Sequence, residues 1–375
     1  MTTTTPTHVR EEGRAFAGAA RAASYVEAHD APAVAVAAPS APPAVPAVEP
    51  EPVIDAGPPV EIERDDVDLG ALSVAAPTRT AQKGLRGLLT KVGVKVAPGP
   101  AETAEIETAA QLARHEETIR QATWTRAVSV LVANPKGGVG KTPTSLMLGG
   151  TLAAIRGGSV AIIEVSDDPG ALTFRSEGSP SRGLGELVAD ADQIRSAGQL
   201  AGYTAPQSSF AAVIGSVGWR PRLDDTAVTS VVGVVDDYFA VRVMDSGNQP
   251  SSPAFGAAVM SADILVVPIF DAGDAALEAA QLLEGLEAAG GHAADLAANA
   301  IVLRLHDGRP EHPQVVARVD RILTSHGITH QHSIPFDAHI AERGQLTLAK
   351  LAPATRHALT GAAADVVRTL QNTAR

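Results

Sequence analysis

The sequence predicts an α/β fold: a mostly parallel, twisted sheet with helices on both faces, preceded by a disordered Pro/Ala-rich N-terminal extension. Three observations carry that prediction. From Ala127 onward, short β-branched and aliphatic runs alternate with helical patterns, which implies parallel strands joined by right-handed crossovers. Ahead of that region the composition shifts, and nine of the thirty residues from Ala31 to Val60 are proline. Finally, the first apolar run, Val128 to Ala133, leads straight into a turn rich in glycine and lysine.

Taken in order, residues 8–29 carry a weak helical pattern through Val9, Phe16, Ala20 and Ala23. The proline-rich stretch that follows lacks backbone donors and favours extended conformations, so it reads as a linker. An acidic run, EIERDDVD, covers 61–68, and residues 1–78 as a whole are expected to be mostly disordered. Between Asp68 and Glu102 there is no acid, yet Arg79, Lys83, Arg86, Lys91 and Lys95 are present. Leu85, Leu88, Leu89 and Val92 give this segment an apolar stripe at helical spacing. It suits an anionic membrane surface, a nucleic-acid backbone, or a helix docked on the core with its cations in water. Ala101 to Thr123 reads as a connecting helix with no evident cap. The domain boundaries are therefore placed at 1–78, 79–126 and 127–375.

Within the last region, strands are expected at 159–165, 210–214, 238–244, 264–270, 300–305 and 330–334, after the one at 128–133. A helix is expected over 275–289, with Leu277, Ala280, Leu283 and Leu286 on its apolar side. Seven of the eleven histidines fall between His306 and His357, none in a zinc-like arrangement, and are expected in solvated loops. The chain has no cysteine, which excludes disulfides, thiolate metal sites and cysteine-ligated iron–sulfur clusters. Its net charge of −12 gives no general case for nucleic-acid binding. No secretory signal and no membrane-length apolar run is visible, so a cytoplasmic location is expected.

The chemistry concentrates in the turn after Ala133. Lys136, Gly137, Gly138, Val139, Gly140, Lys141 and Thr142 fit the phosphate-loop pattern with Pro135 in place of its first glycine. Glycines let consecutive N–H groups curl inward toward phosphate oxygens. Lys141 adds positive charge, Thr142 offers a hydroxyl to Mg²⁺, and a following helix aims its positive dipole end at the same anion. Pro143 is tolerated in the first helical turn, where its missing N–H would have had no partner in any case. A hundred residues on, the strand through Met244 ends in Asp245, a carboxylate placed to hold Mg²⁺ and orient the phosphates.

Asn134-Pro135-Lys136-Gly137-Gly138-Val139-Gly140-Lys141-Thr142 resembles the deviant Walker A motif of the ParA/MinD family of P-loop ATPases. Ser261-Ala262-Asp263 through Pro268 resembles a later strand of that family, and Ile334-Pro335-Phe336-Asp337 its loop against the adenine. The resemblance covers roughly 127–372. It implies ATP and Mg²⁺ as cofactors and an ATP-dependent homodimer in which Lys136 reaches the partner's nucleotide. It also implies nucleotide contacts along 136–143 and at Pro335, Phe336 and Asp337, with Thr142 and Asp245 at the metal. The sequence departs from the family where a strand normally ends D-x-D: here it reads Ile163-Glu164-Val165-Ser166-Asp167-Asp168. Serine stands at the catalytic position, and Asp167 or Asp168 takes its role only if the loop shifts.

Two functions follow from the resemblance. One is an ATPase whose dimer cycle partitions or positions chromosome, plasmid or other cargo, with an unidentified activating or cargo protein. The other is a slow or inactive nucleotide-binding adaptor that recruits partners to a membrane or secretion machinery. Non-specific DNA and an anionic membrane, through 79–95, are the two candidate surfaces, giving a peripheral place at nucleoid or membrane.

Overall fold

The computed structural model describes residues 97–374. The readings at 8–29, 31–68 and 79–95 lie outside the described residues.

The described chain opens with helix α1 (Pro100–Gln121), begun by Pro100 and, as expected, without a side-chain cap. Strand β1 (Val128–Val132) runs into helix α2 (Lys141–Arg156), and β2 (Val160–Glu164) follows. Short helices α3 (Leu172–Arg175), α4 (Leu184–Asp190) and α5 (Ala197–Ala201) lead to β3 (Ala205–Pro206) and β4 (Ala212–Ile214). Then come α6 (Asp225–Asp236), β5 (Val241–Asp245), α7 (Pro253–Met260) and β6 (Ile264–Phe270). The chain continues through α8 (Gly273–Ala289), α9 (Gly291–Ala298), β7 (Ile301–Leu305) and α10 (Pro313–Ser325). It ends with β8 (His330–Ile334), α11 (Ala338–Ala341) and α12 (Pro353–Thr373).

The eight strands form one sheet in the order β3-β4-β2-β5-β1-β6-β7-β8, parallel except for the β3–β4 pair. All seven expected strands are present, several trimmed at the start. Tyr238 and Phe239 close the end of α6 by donating to the Val235 carbonyl, so β5 begins at Val241. Phe210 has φ +69° and sits in the turn that brings β3 back onto β4. β3 itself was not expected, being two residues long and ending in proline.

Alternation along the strands sorts the core into two layers. Val130, Val132, Ile162 and Val243 face α2, α12 and the end of α1. Leu131, Ile163, Met244 and Leu265 face α6 through α10. The helix expected over 275–289 is α8, and Ala280, Leu283 and Leu286 are buried. Leu277 is 53% exposed, so that member of the stripe faces solvent instead. The histidines are also less free than expected. His330 Nδ1 and His332 Nε2 both meet Asp365 Oδ2 at 2.9 Å, joining β8 to α12.

Because β1, β2, β5, β6 and β7 run in parallel, their carboxyl ends share one edge of the sheet. The loops leaving that edge surround a cleft, the usual place for a ligand in an open α/β sheet.

Candidate functional site

The loop from Asn134 to Gly140 is shaped by its own polar groups. Asn134 is buried, donates from Nδ2 to the Pro268 carbonyl at 2.9 Å, and accepts from the Lys136 N–H at 2.9 Å. Gly138 and Gly140 have φ of +78° and +93°, which a residue with a side chain adopts only at a cost. At Gly140 a Cβ would also fall 2.5 Å from Leu305 Cδ1, so a side chain there would have to displace the tip of that leucine as well as adopt the positive φ. Helix α2 starts at the next residue, which directs its free N–H groups into the cleft.

Lys141 is buried beneath the loop, its Nζ donating to the Asn134 carbonyl at 2.7 Å, the Lys136 carbonyl at 3.1 Å, and Asn248 Oδ1. Burial pulls its pKa down to about 8, against the raising influence of Asp245 and Glu278. Thr142 Oγ1 donates to Asp245 Oδ2 at 2.7 Å, and Ser145 Oγ to Oδ1 at 3.2 Å. Burial pushes the Asp245 carboxyl up to about 7, with Glu164 adding to the rise and the two hydroxyls and Lys141 opposing it. A buried carboxylate whose direct donors are two neutral hydroxyls is a fit for a divalent cation, which would supply the missing charge.

The cleft has a volume of about 1020 Å³ and is lined by Gly138, Gly140, Lys141, Thr142, Pro143 and Asp245, among others. Asp167, Asp168, Pro335, Phe336 and Asp337 line it too, so most of the sequence-predicted site converges. Phe336 is 47% exposed, with Gly308 beneath its ring. Asp337 offers the cleft less than its position suggests. Its Oδ1 caps α11 at the His339 N–H (3.0 Å), and Oδ2 accepts from the Ala352 N–H (2.8 Å). Burial alone would raise the Asp337 carboxyl, yet the Ala352 N–H, the Thr355 hydroxyl and the His339 N–H hold it below the usual carboxylate range.

Lys136, Gly137 and Val139 are not among the lining residues. Val139 is buried, and Lys136 Nζ turns outward to α8, 3.0 Å from Asp274 Oδ2 and 3.7 Å from Glu278 Oε1. The Asp274 hydrogen bond leads the causes that raise the Lys136 pKa.

The wall after β2 is built differently. Glu164, buried, pairs with buried Arg220 at 2.8 Å and accepts from the Gly170 N–H at 2.9 Å and from the Ser216 hydroxyl. Asp168 is exposed and held by both arms of Arg222 at 2.8 Å. Asp167 is buried beside Gly247, where a Cβ would come within 3.0 Å of its Oδ1. Next to Arg220 the chain exposes Trp219, 85% open to solvent. Sequence reading missed Arg220, Arg222, Ser145 and Asn248. Asn248 lies three residues beyond Asp245 and was within reach of the motif, whereas Arg220 is 56 residues from Glu164 with no local pattern linking them.

Residues 130–347 match the family described as the CobQ/CobB/MinD/ParA nucleotide binding domain. The chain belongs to that family. Among solved structures, a ParA family ATPase from Chlorobium tepidum TLS shares the fold at 16% identity and a TM-score of 0.53, covering 64% of this chain and 98% of that one. The cell division ATPase MinD of Pyrococcus furiosus aligns at 16% identity and a TM-score of 0.45, over 64% of this chain and 99% of that one. The cobyrinic acid a,c-diamide synthase of Mycobacterium smegmatis, with bound ATP analog and magnesium, gives 16% identity and a TM-score of 0.45, over 66% and 97%. No curated protein matches the chain in sequence. Among the described residues, no helix is long and apolar enough to cross a membrane. Helix α12 lies beyond the family match and α1 before it.

Proposed function

We propose that this ParA/MinD-family chain binds Mg-ATP in the cleft, hydrolyses it, and uses an ATP-dependent homodimer to partition or position cargo. The observation that carries the reading is the contact of Thr142 with Asp245 beside Lys141, at the start of α2. It joins a hydroxyl, a buried carboxylate and a cation at the end of a helix dipole, the set a metal-bound triphosphate requires. Phe336 supplies an aromatic face for the base. Lys141 already sits among oxygen acceptors at the loop, which it can share with phosphate oxygens.

A charged hydrogen bond to phosphate is worth roughly 1.5–3 kcal/mol, so Lys141→Ala should weaken ATP binding at least tenfold in calorimetry. Equal affinities would overturn the reading. Lys136→Ala should spare most of the monomer's ATP affinity but abolish an ATP-induced doubling of mass in light scattering. The slower adaptor reading is favoured by one feature, that Glu164 and Asp168 are both held in ion pairs. Steady-state turnover, with and without DNA or anionic vesicles, separates the two.

A further inference from the structure

We propose that Arg220 is a positioning residue that shifts the water-orienting carboxylate of this site one residue along, to Asp167; this rests on the ATP hydrolysis proposed above. Four acidic or hydroxyl side chains follow or end β2, and the structure disposes of three of them. Glu164 is taken by Arg220, Ser216 and the Gly170 N–H. Ser166 Oγ is turned back on its own loop, to Glu164 Oε1 at 3.2 Å and the Asp168 carbonyl at 2.7 Å. Asp168 is exposed at the cleft rim with both oxygens held by Arg222 at 2.8 Å, while Arg222 Nη2 stands farther off, 3.8 Å, from Asp167 Oδ2. Asp167 alone is both buried and on the cleft side, with its Oδ1 against Gly247, two residues from Asp245.

Arg220 is what holds the loop in that arrangement. Its guanidinium donates to three successive carbonyls, those of Ser166 (2.8 Å), Asp167 (2.8 Å) and Asp168 (3.1 Å), and to Glu164. The Asp167 carbonyl also accepts from the Leu223 N–H at 3.0 Å. A planar fork with five donors can satisfy four acceptors at once, which an ammonium on a flexible stem cannot. The grip fixes backbone on both sides of Asp167, whose side chain lines the cleft beside Gly247. In the reaction, water oxygen bonds to the terminal phosphorus while the P–O bond to ADP breaks, its electron pair staying on ADP. Asp167 accepts a hydrogen bond from that water, whose proton leaves to solvent or to the phosphate formed.

Three substitutions in the full chain test the assignment, each read as kcat, ATP KM, ATP affinity and melting temperature. Asp167→Asn should lower kcat at least 100-fold with ATP affinity within threefold of wild type. Asp168→Asn, which loosens the Arg222 pair at the cleft rim, should lower kcat at least tenfold less than Asp167→Asn does. Arg220→Lys keeps a cation beside Glu164 but cannot grip three carbonyls, so kcat should fall about tenfold with KM unchanged. An Arg220→Lys protein with wild-type kcat, whatever its melting temperature, would reduce the arginine to a structural ion pair and overturn the proposal. So would full turnover in Asp167→Asn, or a loss in Asp168→Asn as large as the loss in Asp167→Asn. A wild-type chain that binds no ATP would instead overturn the proposed function itself.

Discussion

On one side of the cleft, Lys141 and Thr142 line it and Asn134 and Ser145 support them, all within a dozen residues of one another, and Lys141 and Asp245 are buried with their charges incompletely balanced. On the other, Glu164 and Arg220 come from segments 56 residues apart and meet in a buried pair with several further hydrogen bonds. The first wall stores a cost that a bound cation and anion would relieve; the second has nothing left to relieve. This contrast separates residues that bind from residues that hold. It predicts opposite signs for the same operation, removing one charge.

Arg220→Ala should give the largest effect. It leaves Glu164 buried without its cation, a change that typically costs about 3–5 kcal/mol, visible as a lower midpoint in chemical denaturation. Asp245→Asn should do the reverse in the ligand-free protein. The Asp245 carboxyl titrates near 3.8 when unfolded and at about 7 when folded, so the folded state holds the extra proton. Stability therefore falls as pH rises from about 4 to about 7, and the penalty is complete above that range. The substitution should stabilise the apo protein at pH 8 by on the order of 2–4 kcal/mol, the gain vanishing near pH 4. It should also remove any stabilisation by Mg-ATP, which a melt with and without ligand would show. The smallest effect belongs to Arg222→Ala, because that side chain and Asp168 are both solvent-exposed. No shift in melting temperature should be resolvable; a clear drop would mean that the outer pair also holds the loop.

The same contrast explains what could be read from the sequence. The phosphate loop was legible because its glycines, lysines and threonine are contiguous and each has a local reason to be there. The sheet was legible because parallel strands buried on both faces appear as near-continuous apolar runs. The β2 loop was only half legible. Sequence showed that serine had displaced an aspartate at 166, but which neighbour compensates depends on Arg220, which no spacing rule connects to Glu164. Lys136 shows the same limit from the other side. Its place in the motif was plain, yet its contact with Asp274 and Glu278 depends on where α8 packs. Asp337 was found as a cleft residue, while its engagement with His339 and Ala352 depends on the turn into α12.

The chain contains two tryptophans. Trp124 is half-buried with the Arg156 guanidinium 5.0 Å from its ring, where that arginine also binds the Ile119 and Ala122 carbonyls. Trp219 stands in water beside Arg220. Their indoles should differ in emission wavelength and in access to a dissolved quencher such as acrylamide, so the two signals can be resolved in the unlabelled protein. Loss of quenching at the red-shifted component, as nucleotide is added, would report closure over the arginine grip while the other indole serves as an internal reference.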